Sequence, residues 1–128
     1  MTILLVEDDA LIAMDLKHAL ENKGMRVAAF ASADDARAWL LKNKPIAAVC
    51  DFKLQHGTID RLARSLKASD IPFLFYTGVT PDEGAFGKEF SSVPVLMKPC
   101  SNDQVVAAVL GLVRADGDLE ASRNSKSC

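Results

Sequence analysis

Five residues able to do chemistry stand where short apolar runs end. Glu7 and Asp8 follow Ile3 to Val6, Asp51 follows Ile46 to Cys50, Thr77 follows Pro72 to Tyr76, and Lys98 follows Val95 to Met97. Three carboxylates, a hydroxyl and an ammonium suit a divalent cation and a phosphate. Ionised carboxylates sharing one cleft are unstable alone, because like charges about 4 Å apart repel by roughly 4 kcal/mol per pair at an effective dielectric of 20. Lys98 offsets one charge and leaves about two, and all-oxygen ligands with room for water favour Mg²⁺ over zinc. Such a shell leaves positions on the metal for water and a phosphoryl oxygen. Asp51, between the acidic pair and Lys98, is the candidate nucleophile, since a carboxylate can form an acyl phosphate. Thr77 and Lys98 would then stabilise charge on the phosphoryl group, and Gly78 beside Thr77 leaves space for it.

These residues can meet only if the chain gathers its strand ends. Ile3 to Val6 is a continuous apolar run, the pattern of a strand buried on both faces. From Ala10 to Lys23 the period changes, with Ile12, Leu16, Ala19 and Leu20 at helical spacing and Gly24 as the stop. Arg26 to Phe30 reads as a second strand, and Ser32 with Asp35 opens a helix through Asn43, ended by Pro45. The run ending at Cys50 is a third strand, Ile59, Leu62, Ala63 and Leu66 form a third helical stripe, and Pro72 to Tyr76 is a fourth strand. Pro81 to Phe90 is a weaker helix because Gly84 and Gly87 lower its propensity. Val95 to Met97 is a fifth strand, and Ser101 with Gln104 opens a last helix through Val105, Ala108, Val109 and Leu112.

Strict alternation implies a mostly parallel, doubly wound α/β sheet with helices on both faces, because parallel strands need crossovers and the crossovers cover the faces. Ligands of such sheets bind outside the carboxyl ends of the strands, where strand order reverses. With five strands in the order 2-1-3-4-5, Glu7, Asp8 and Asp51 converge there.

With 128 residues, 49% of them hydrophobic, the chain has material for one core, expected over residues 1–114. Residues 115–128 are polar and are expected to form a flexible tail. A net charge of −2 and the lack of a basic stripe suggest neither nucleic acid nor membrane as a partner. Met1 to Val6 leads straight into Glu7, Asp8 and Asp9 without the long apolar run of a signal peptide, so a cytoplasmic location is expected. Cys50, Cys100 and Cys128 are odd in number and form no CxxC pair, and free thiols are expected. His18, His56 and Trp39 read as solvated or packing side chains rather than ligands.

In their order and spacing, ILLVEDD with Glu7 and Asp8, Asp51 closing the third strand, FYTG with Thr77 and MKP with Lys98 resemble the receiver domain of bacterial two-component response regulators. The resemblance covers Met1 to about Arg114 and implies a flavodoxin-like fold. It further implies that a sensor histidine kinase or phosphotransfer protein donates phosphate to Asp51, and that the backbone carbonyl of Lys53 completes the Mg²⁺ shell. Output to a downstream protein target would run through the fourth helix, fifth strand and fifth helix. Such a domain is no enzyme beyond its own phosphorylation and dephosphorylation. FYTGVT is similar to a motif of mostly stand-alone receivers. Three positions differ from the usual pattern: Gln55 in place of a frequent Pro, Cys100 in place of Phe, and Val95 in place of an aromatic. A β-branched aliphatic cannot swing or hydrogen-bond as a phenol does, so activation would need another readout.

Two alternatives come from other classes. A pseudo-receiver would bind partners constitutively, against which its carboxylates are intact. A Mg²⁺-dependent phosphohydrolase also uses an aspartyl nucleophile, but Lys53 stands where that class would carry a second Asp, and no cap segment is present.

Overall fold

A computed structural model describes residues 2–51, 59–78, 90, 92–114 and 126–127. The strands are β1 (Thr2–Val6), β2 (Arg26–Phe30), β3 (Ala47–Cys50), β4 (Phe73–Thr77), β5 (Val95–Met97) and β6 (Lys126–Ser127). The helices among the described residues are α1 (Ala10–Glu21), α2 (Ala33–Leu40), α3 (Ile59–Ala68) and α4 (Asn102–Arg114). All pairings are parallel, and β1 to β5 take the expected order 2-1-3-4-5. The helix expected over Pro81 to Phe90 lies, apart from Phe90, outside the described residues.

Alternation along each strand sorts the core into two layers. Leu4, Val6, Phe73, Phe75 and Val95 face α2 and α3, where Leu62 and Leu66 meet them. Ile3, Leu5, Leu74, Tyr76 and Leu96 face α1 and α4, against Leu16, Leu20, Val105 and Val109. Trp39 is packing, as expected, its ring tilted against Phe30 at 6.0 Å between centroids.

Helix ends carry the expected signals with shifted bounds. Gly24 has φ +86 after α1, a left-handed conformation that favours glycine, and Met25 N–H reaches back to Leu20 O at 3.3 Å. Helix α2 stops at Leu40 rather than Asn43, with Leu41 as its cap. Before α4, the Ser101 N–H donates to Gln104 Oε1 at 2.9 Å and the Gln104 N–H to Ser101 Oγ at 3.1 Å, a full capping box.

Lys126–Ser127 pairs with Leu96 and Met97 of β5, whose edge offers backbone groups that a parallel segment can satisfy; the rest of the expected tail lies outside the described residues. One expectation fails. Cys100 is disulfide-bonded rather than a free thiol. Cys50 is the buried free cysteine among the described residues, and Cys128 lies outside them.

Candidate functional site

Backbone pairing carries the chemistry-bearing residues to one edge of the sheet. Beyond the last rungs, the Glu7 N–H donates to Phe30 O at 3.0 Å, the Asp51 N–H to Val6 O at 2.9 Å, and the Lys98 N–H to Thr77 O at 2.8 Å. Glu7, Asp51, Thr77 and Lys98 are therefore fixed through their main chains by neighbouring strands before any side chain is considered.

At that edge, polar groups are buried. Glu7 is 3% exposed, Asp51 5% and Thr77 0%. Lys98 joins the two acids, its Nζ 2.7 Å from Glu7 Oε1 and 3.4 Å from Asp51 Oδ2. The other Glu7 oxygen accepts the Asp9 N–H at 3.1 Å. Burial nonetheless pushes the Glu7 carboxyl up from its ordinary 4.5 to about 7; the bonds from Lys98 and Asp9 oppose that rise, and the charge of Asp51 adds to it. For Lys98, burial pulls the ammonium down, but the hydrogen bond to Glu7 and the charges of Asp51 and Glu7 outweigh it and the net shift is upward.

One carboxylate oxygen each from Glu7, Asp8 and Asp51 lies within 4.8 Å of the others. Oxygens on opposite sides of an octahedral Mg²⁺ shell, with bonds of about 2.0–2.1 Å, are about 4.2 Å apart. The three hard oxygens are thus close enough together to suit that ion. The sequence-derived residues Glu7, Asp8, Asp51 and Lys98 are brought together as expected, and Thr77 is buried on the same edge. Lys53 lies outside the described residues, as does His56. His18 is exposed on α1, and Cys50 is fully buried, its thiol pushed up to about 12 by burial and by the charge of Asp51.

Two roles were not read from the sequence. Asp9, the third acid of the run, caps α1 by accepting the N–H groups of Leu11 and Ile12 at 3.0 and 3.2 Å; its place just before the first helical residue was the available signal. Tyr76 lies under Lys98, with Nζ 5.3 Å from its ring centroid, and its hydroxyl meets the backbone of Cys100. A phenol in an otherwise apolar strand was the hint there, since a buried hydroxyl needs a partner.

The chain as a whole is similar to known proteins in sequence and in fold. The chain is similar to the phosphate regulon transcriptional regulatory protein PhoB of Pseudomonas aeruginosa, 30% identical over 127 residues, covering 94% of this chain and 56% of that one. It thus spans about half the length of that curated relative. Among solved structures, a CheY-like response regulator receiver domain protein from Methanospirillum hungatei superimposes with a TM-score of 0.81 at 23% identity, covering 91% of this chain and 95% of the other. A response regulator receiver protein from Sinorhizobium medicae follows with a TM-score of 0.78 at 26% identity, covering 91% and 96%. A family model described as the response regulator receiver domain matches residues 3–110. That span holds every strand end that carries an acid, the hydroxyl or the lysine, and the chain belongs to the response regulator receiver domain family.

Proposed function

We propose that Asp51 accepts a phosphoryl group from a partner histidine kinase or phosphotransfer protein in a Mg²⁺-dependent reaction, and that the product alters docking to a downstream protein. The observation that carries this reading is the buried carboxylate of Asp51 beside two further carboxylates and 3.4 Å from the Lys98 ammonium. Glu7, Asp8 and Asp51 would hold Mg²⁺, which when bound neutralises charge on phosphoryl oxygens. An Asp51 carboxylate oxygen forms the new P–O bond while the P–N bond to the donor histidine breaks, and the leaving imidazole nitrogen takes a proton. Lys98 then donates to a phosphoryl oxygen, and Thr77 does so after its buried hydroxyl turns outward. Catalysis is confined to the domain's own phosphorylation and dephosphorylation, and the setting is cytoplasmic. Among the described residues no helix is long and apolar enough to cross a membrane.

The test is incubation with acetyl phosphate and Mg²⁺, followed by intact-mass measurement. One phosphoryl group is expected on the wild type and none on Asp51→Asn. An unchanged mass with every donor would sink the proposal in favour of a constitutive interaction module, and turnover of phosphate esters would favour a hydrolase.

A further inference from the structure

We propose that Tyr76 is the positioning residue for Lys98, holding the ammonium against its ring and the turn that carries the lysine through its hydroxyl. Tyr76 is 7% exposed and immediately precedes Thr77 on β4. Its hydroxyl donates to Cys100 O at 3.3 Å and accepts the Cys100 N–H at 3.4 Å. The backbone two residues beyond Lys98 and the charged end of the lysine thus both meet a single side chain, 22 positions before Lys98 in the chain.

The ring carries more of this hold than the hydroxyl. Both hydroxyl contacts are longer than the common hydrogen-bond range of about 2.7–3.2 Å, so each is weak. The ammonium, 5.3 Å from the ring centroid on a side chain 18% exposed, lies inside cation–π range and is mostly desolvated, where that attraction is largest. Glu7 and Asp51 draw the flexible lysine from the acidic side. Gly78 gives little lateral support, for even an added Cβ there would stop 4.0 Å from Lys98 Cδ. The Tyr76 face supplies a wall whose attraction does not depend on which carboxylate is charged or phosphorylated.

The proposal rests on Lys98 meeting the phosphoryl group, and the test separates the two ideas. Tyr76→Phe keeps the ring and removes the hydroxyl, whereas Tyr76→Leu removes both. With acetyl phosphate and Mg²⁺, the Leu variant should take up phosphate about 10-fold more slowly and the Phe variant within about 3-fold of wild type. Mg²⁺ affinity, which reads Glu7, Asp8 and Asp51, should be unchanged in both. By NMR, the Lys98 ε-methylene protons should be shifted upfield by the ring in the wild type and Phe variant and return toward free-lysine values in the Leu variant. If Tyr76→Leu does not fold, Tyr76→Met replaces it. Wild-type uptake in the ring-less variant, or a loss of Mg²⁺ affinity in step with rate, would overturn the proposal, as would a Phe variant as slow as Leu. Should the wild type take up no phosphate, the phosphoacceptor reading fails, while the Lys98 resonances still decide whether Tyr76 holds the lysine.

Discussion

The two faces of the sheet use aromatic residues differently. Toward α2 and α3, Phe73, Phe75 and Phe90 form an edge-to-face cluster with centroids 5.7 to 6.5 Å apart. Toward α1 and α4 the packing is aliphatic, and the buried ring of that layer is Tyr76, with its hydroxyl on Cys100 and its face to Lys98. Phe75 and Tyr76 are neighbours in sequence, yet period-two alternation sends one into packing and the other toward the site. Val95, at the position where an aromatic was missed in the sequence, belongs to the Phe-rich layer and pairs with Phe75. The phenol of this chain is therefore on the opposite face, one strand over.

The hardest blow to that contrast is Phe75→Ala. It should cost about 3–5 kcal/mol in chemical denaturation, through lost burial and a residual cavity, while folded protein still takes up phosphate at Asp51. Loss of uptake without loss of stability would mean that the two layers are not separate in function. The next effect is a pH dependence from the polar edge. Glu7 ionises near 4.5 when unfolded and about 7 in the metal-free fold, so the folded state favours its protonated form. That contribution is complete below the unfolded value and disappears as pH rises through about 7. Metal-free protein should therefore lose on the order of 1–3 kcal/mol between pH 5 and 8 from this group, with Mg²⁺ opposing the loss. Denaturation midpoints across that range, with and without Mg²⁺, measure it, and a flat profile in Glu7→Gln assigns it. The smallest effect sharpens the division within the acidic run. Asp9→Ala should destabilise α1 by about 1 kcal/mol through loss of its cap, with phosphate uptake unchanged in the folded protein.

Much of the architecture was legible because it is written in local pattern. Continuous apolar runs marked β1, β3 and β4, helical spacing marked α1, α3 and α4, and the Ser101–Gln104 pair marked the start of α4. Bounds moved by one to three residues where propensity is shallow, as at the end of α2, because the last turn is decided by which carbonyls find partners. The convergence of Glu7, Asp8 and Asp51 followed once β1 and β3 were taken as neighbours, since each acid follows its strand directly.

What the sequence determined by itself was the alternation of elements and the residue types standing at the strand ends, because both depend on spacing along the chain. Only the tertiary structure decided that Lys98 lies closer to Glu7 than to Asp51, that Tyr76 rather than a residue on β5 supports it, that Cys100 is bridged, and that Lys126–Ser127 extends the sheet. These join residues far apart in the chain through side-chain rotamers and edge pairing. No local periodicity encodes a choice between two carboxylates a few ångströms apart, since it is made by packing and burial after the strands have assembled.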